Sequence, residues 1–130
     1  MECKCLDSDI IIDFLRGKER AVKYIESVRG SSRVVTTVIN AFELYYGALK
    51  YGKDVEKLDK FFQSLEVLPF TASEVKRAAE IEAYLESRGE VIGLKDVLIS
   101  SIAMNNNCAV VTGNVKHFER VPGLKVENWK

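Results

Sequence analysis

Apolar and polar positions along the chain alternate between two rhythms: short unbroken apolar runs, and longer stretches spaced for one helix face. Cys3–Leu6 is a short apolar run that stops at Asp7-Ser8-Asp9, which predicts a strand leading into a helix capped by Ser8 or Asp9. Ile10, Ile11, Ile12, Phe14 and Leu15 form that helix's apolar cluster, closing at Arg16-Gly17. Lys18–Val28 repeats Ala21, Val22, Ile25 and Val28 at helical spacing. After the Gly30-Ser31-Ser32 loop, Val34-Val35-Thr36-Thr37 reads as a β-branched strand. Val38 to Lys50 and Asp54–Ser64 are helical in pattern, the second with Val55, Leu58, Phe61 and Phe62 on one side.

The second half follows the same alternation. Glu66-Val67-Leu68-Pro69-Phe70 is a brief strand ended by a proline, which cannot donate to a central ladder. Thr71 or Ser73 opens a long amphipathic helix reaching Arg88, and Gly89 stops it. Gly93–Met104 is apolar over most of a helix circumference, which predicts a deeply buried helix. Its carboxylate, Asp96, lies in the first turn, where free N–H groups favour an anion. Ala109–Val111 is a fully apolar strand running into Thr112-Gly113-Asn114, and Leu124–Val126 is a last strand before Trp129. Strands alternating with helices predict an α/β fold, with a mostly parallel central sheet covered on both faces.

Composition narrows the class. A chain of 130 residues predicts a single domain over 1–130, large enough for one core without staples. Nineteen basic and nineteen acidic residues cancel, so no long-range field advertises nucleic-acid binding, and only a local basic rim remains open. No apolar run approaches the roughly 18–20 residues of a membrane span. Cys3, Cys5 and Cys108 are odd in number and follow no signal peptide, which predicts structural thiols in a reducing cytoplasm.

In an open parallel sheet, ligands bind beyond the carboxyl ends of the strands, where the strand order reverses. Asp7 directly follows the first strand, Glu43 lies in the helix after the second, and Asn114 follows the Ala109–Val111 strand. Asp96 opens a buried helix that can start on the same edge. Carboxylates gathered in one cleft repel one another and lose hydration, and Mg²⁺ or Mn²⁺ relieves both costs. Such ions activate water and stabilise the leaving oxygen of a phosphodiester. Gly47, one turn after Glu43, admits either a closely approaching backbone or substrate, or close helix packing.

Four segments resemble the motifs of PIN-domain nucleases, in order and spacing: Leu6–Asp13, Phe42–Ala48, Gly93–Ile99, and Val110–Phe118 with its Val121-Pro122-Gly123-Leu124 tail. The nearest subgroup in character is the VapC-type toxin of toxin–antitoxin pairs. The resemblance implies a three-layer α/β/α sandwich, Mg²⁺- or Mn²⁺-dependent RNA hydrolysis, a homodimer, and an antitoxin whose C-terminal segment fills the cleft. It assigns Asp7, Glu43 and Asp96 as metal-binding acids, with Asn114 at a fourth position that is often Asp, and Ser8 and Thr112 lining the site. The neutral Asn114 amide removes one formal charge and weakens a second ion. Arg16, Lys95, Lys116, His117 and Arg120 are candidate phosphate contacts beside the motifs. His117 is not needed as a general base where a metal supplies the nucleophile. Asp9 reads as a helix cap and Asp13 as a solvent-facing residue.

Two rivals remain. Asp7-x-Asp9 after a strand, with Thr112 ending a later one, also resembles a haloacid-dehalogenase phosphotransferase, with Asp7 as nucleophile and Asp9 as acid/base. Only Glu119 and Glu127 follow Thr112 as acids, and neither supplies that family's downstream acidic pair. The other rival is a degenerate PIN domain that binds RNA or protein without cutting, supported only by Asn114.

Overall fold

The computed structural model describes Met1–Lys130. Five strands form one sheet: β1 (Cys3–Leu6), β2 (Arg33–Thr37), β3 (Glu66–Leu68), β4 (Cys108–Val111) and β5 (Val126–Glu127). Their order is β3-β2-β1-β4-β5, and all four pairings are parallel. The chain therefore builds outward from β1 in one direction and then restarts on its other side at β4. That reversal, between β1 and β4, is the switch point anticipated above.

Helices cover both faces. On one side lie α1 (Ser8–Leu15), α2 (Glu19–Arg29), α3 (Val38–Lys50) and α4 (Glu56–Gln63). They pack Ile10, Ile11, Ala21, Ile25, Leu44, Leu58 and Phe61 against Leu6 and Val111 of the central strands. On the other side are α5 (Ala72–Ser87), α6 (Leu94–Asn105) and the single turn α7 (Val115–Phe118). There Ile99, Ile102, Ala103 and Phe118 bury Cys5, Val35 and Val110. Parallel strands buried from both sides need apolar residues in both registers, which is why β1 and β4 read as unbroken runs. The three-layer α/β/α sandwich is thus the observed architecture.

Several local expectations change. The N-cap of α1 is Asp7, whose side chain accepts from the Ser8 amide, rather than Ser8 or Asp9. The fourth helix begins at Glu56 and the last strand at Val126, both later than their apolar patterns suggest. The segment around His117 contains the single-turn α7.

The cysteine expectation is corrected. Cys3 and Cys108 form a disulfide, with Cα atoms 4.5 Å apart. They are register partners on adjacent strands and point to the same face, and strand register cannot be read from spacing alone. Cys5 is free and buried, and burial pushes its thiol up to about 12, which makes it inert.

Candidate active site

The carboxyl end of β1 delivers Asp7 into a polar pocket between α1, α3 and β4. Its Oδ1 accepts the Ser8 amide at 2.9 Å and Asn40 Nδ2 at 3.0 Å, while Oδ2 accepts the Thr112 hydroxyl at 2.7 Å. These bonds favour the ionised form, yet burial outweighs them and, with the charges of Asp9 and Asp96, lifts Asp7 to about 6. An acid held this far above its ordinary range, in a cleft with other acids, marks a functional site better than a structural ion pair.

Asn40 was not anticipated, and it organises this end of the site. It is fully buried in the first turn of α3. Its Oδ1 accepts from Thr37 Oγ1, and its Nδ2 reaches both Asp7 and Ser8 Oγ. Ser8 in turn donates to Glu43 Oε1 at 3.2 Å. Thr37 caps the helix through the Ile39 and Asn40 amides, so one motif both starts α3 and aims Asn40. A lone amide in an apolar turn, three residues before Glu43, was the available signal.

Glu43 and Asp96 complete the acidic side. Glu43 Oε2 lies 3.3 Å from Lys95 Nζ. Asp96 stands in the first turn of α6, following Gly93 at φ +96, a left-handed conformation that favours glycine. Burial raises Asp96 above its ordinary value; His117 opposes that rise and the Glu43 charge adds to it. His117 Nδ1 is 3.2 Å from Asp96 Oδ2 and 2.9 Å from Asn114 Nδ2. Thr112 Oγ1 accepts the Asn114 amide N–H at 2.9 Å and so fixes the start of that loop.

Asp7, Glu43, Asp96, Asn114, Ser8 and Thr112 therefore meet on one edge, as topology required. Of the basic candidates, Lys95 and His117 enter the site. Arg16 lines a neighbouring cavity of about 470 Å³ together with Glu43, Gly47 and Lys57. Lys116 is exposed on α7. Arg120 is drawn away, its guanidinium donating to the Val91 carbonyl. A Cβ at Gly47 would meet nothing within 4 Å, so no close helix packing demands that glycine; it widens the cavity wall.

Asp9 does not act as the α1 cap. Its carboxylate accepts from the Ile10 and Gly113 amides and from the Trp129 indole. With those bonds made, it is not poised as the acid/base that a phosphoaspartate mechanism requires.

The site's donors are hard oxygens, with the Asp9 and Asp96 charges raising Asp7 and the Glu43 charge raising Asp96, and the Lys95 ammonium lies on Glu43 where a counter-charge is needed. That chemistry fits a divalent cation. No three acid, histidine or cysteine side chains stand close enough to share one ion as they are arranged.

Comparison with known proteins agrees with this arrangement. The PIN domain family model matches residues 4–124. Ribonuclease VapC2 of Rickettsia felis is 36% identical over 108 residues, covering 81% of each chain. The tRNA(fMet)-specific endonuclease VapC of Salmonella typhimurium is 29% identical over 127 residues, covering 95% of this chain and 96% of that one. Among solved structures, Rickettsia felis VapBC2 bound to a promoter DNA fragment superimposes with a TM-score of 0.91 at 31% identity, covering 98% of this chain and 99% of that one. DNA-bound VapBC of Salmonella typhimurium gives 0.88 at 29% identity over the full length of both chains. By the family model over residues 4–124, the relative at 36% identity and the shared fold, the chain belongs to the PIN-domain family, in the VapC group.

Proposed function

We propose that this protein is an endoribonuclease that hydrolyses RNA phosphodiester bonds with Mg²⁺ or Mn²⁺, and that it is the toxin of a toxin–antitoxin pair. The observation that carries the chemistry is the convergence of Asp7, Glu43, Asp96 and Asn114 at the β1/β4 switch point. These four residues would hold the ion. When bound, it lowers the pKa of a water and offsets charge developing on the phosphodiester.

The chain's own residues prepare the site. Asn40, Ser8 and Thr112 fix both oxygens of Asp7, so its orientation is set before any ligand arrives. Lys95 and Arg16 present positive charge beside Glu43 for phosphate oxygens of the RNA.

Partners follow from the same reading. VapBC complexes among the similar structures support an antitoxin protein as partner. The homodimer has support in α3, where Val38, Phe42, Tyr46 and Leu49 form an exposed apolar stripe. The apolar face of α4, by contrast, is spent on the core through Leu58 and Phe61. No helix is long and apolar enough to cross a membrane. An RNA substrate supports a cytoplasmic location, where the Cys3–Cys108 bond would meet reducing conditions.

The test is cleavage of a labelled RNA pool with Mg²⁺, Mn²⁺ or EDTA, beside Asp96→Asn. Metal-dependent cutting that vanishes in the variant is the expected result. A folded protein that neither cuts RNA nor binds Mn²⁺ would overturn the assignment and leave a binding domain.

A further inference from the structure

His117 is the only histidine in the chain, and α7 carries it to the rim of the acid cluster. Phe118, the next residue, is fully buried among α6 and the sheet and anchors the turn. The His117 ring is therefore held in place, although its side chain is 42% exposed. Its position is not explained by surface charge. One ring nitrogen, Nδ1, faces two groups at once: Asp96 Oδ2 at 3.2 Å and the Asn114 side-chain amide at 2.9 Å.

These two contacts make opposite demands. Donating to Asp96 needs a proton on Nδ1, whereas accepting from the Asn114 NH₂ needs its lone pair. Turning the Asn114 amide end for end places its oxygen in the same position at no steric cost. Nδ1 then stands within 3.2 Å of two oxygens, Asp96 Oδ2 and the Asn114 amide oxygen. Neighbouring ligands of an octahedral ion, bound at about 2.1 Å, lie about 3 Å apart. The observed spacings of 2.9 and 3.2 Å match that edge. No three acids approach so well as they stand.

We propose that His117 Nδ1 is itself a metal ligand, sharing one divalent cation with Asp96 and Asn114 and biasing the site toward Mn²⁺ over Mg²⁺. This rests on the metal-dependent reading above and adds a nitrogen donor to it. Mg²⁺ demands oxygen ligands and sheds water reluctantly, whereas first-row transition ions accept imidazole readily. The nitrogen also offsets what Asn114 lacks: in place of a fourth carboxylate, the site has an amide oxygen and an imidazole.

The experiment is a calorimetric titration of the purified protein with Mn²⁺ and with Mg²⁺, joined to pulsed electron paramagnetic resonance of the Mn²⁺ complex. Because the chain has one histidine, imidazole ¹⁴N modulation of the Mn²⁺ signal can arise only from His117. The expected result is that modulation in the wild type and its loss in His117→Ala. That variant should also bind Mn²⁺ about tenfold more weakly, with Mg²⁺ affinity changed less than about twofold. Mn²⁺ bound without ¹⁴N modulation, and lost in Asp96→Asn, would overturn the His117 assignment while leaving the acid site standing. Failure of the wild type to bind Mn²⁺ at all would overturn both.

Discussion

The Asp9 carboxylate accepts the backbone N–H of Gly113 at 2.7 Å, fastening the first turn of α1 to the loop that leaves β4. The two residues are 104 positions apart, and the bond holds together the strand ends that carry Asp7 and Asn114. A Cβ added at Gly113 would lie 2.6 Å from Asp9 Oδ2 and 2.7 Å from Lys130 Cε. The lysine can swing away; the short, bonded carboxylate cannot. Gly113→Ala should therefore cost about 1.5–3 kcal/mol, the worth of a charge-assisted hydrogen bond. Urea unfolding of Gly113→Ala, Asp9→Ala and the double variant checks this. The double variant should be little worse than Asp9→Ala alone, and simple additivity would disprove the coupling.

Acidity gives a second prediction. The Asp7 carboxyl ionises near 3.8 in an unfolded chain and near 6 in the fold. Between those values the folded state keeps a proton that the unfolded state has lost, so stability falls as pH rises across the window and levels off above it. The full effect is about 3 kcal/mol by the usual conversion, and the raised Asp96 acts with the same sign. Without metal, Asp7→Asn should be more stable than wild type at pH 7, because an amide still accepts from Ser8 and Asn40 and donates to Thr112. Chemical denaturation between pH 4 and 8, in EDTA, should show the wild-type decline flattened in the variant. Mn²⁺ should reverse the order by binding the wild type alone.

How much of this was visible in the sequence follows from where each signal resides. Asp7 and Asn114 were legible because they follow apolar strands, whose ends a parallel sheet sends to one edge, and Glu43 and Asp96 because their helices can start on that same edge. The two faces of the sandwich were legible from helical spacing. Asn40, by contrast, looks like one polar residue in an apolar turn until Asp7 is placed opposite it. The Asp9–Gly113 and Asp9–Trp129 bonds join positions 104 and 120 residues apart, and no local pattern encodes them. The Cys3–Cys108 pairing depends on the register between β1 and β4. A slip of one residue would turn either side chain to the other face.

The disulfide supplies the third prediction. It bridges a sequence separation of 105, and a cross-link of that span contributes about 4–5 kcal/mol in the chain-entropy model. Dithiothreitol should lower the urea midpoint of the wild type and leave Cys3→Ala/Cys108→Ala unmoved. Equal midpoints with and without reductant, in protein shown by mass to be oxidised and reduced respectively, would remove the bridge from the stability of the fold.

The fourth concerns α3. Phe42, Tyr46 and Leu49 are 63%, 55% and 70% exposed, and the Phe42 and Tyr46 rings stack at 6.2 Å. A contiguous apolar stripe of this kind marks an association surface. Sedimentation at micromolar concentration should show a dimer for the wild type and a monomer for Phe42→Glu/Leu49→Glu. A monomeric wild type would rule out a tight dimer.

The strand order has a further consequence for how such an enzyme is made. Asp7 is made before the other acids of the site, yet the strand that carries it stands at the centre of the sheet and takes β4 as a neighbour. Thr112, which holds one Asp7 oxygen, and Trp129, which reaches Asp9, are added 105 and 120 residues after the acids they bond. A nascent chain thus carries Asp7 through that intervening synthesis without the full set of partners that orients it. A site assembled in this order stays unarmed until β4 and the loop after it have been made and have docked beside β1.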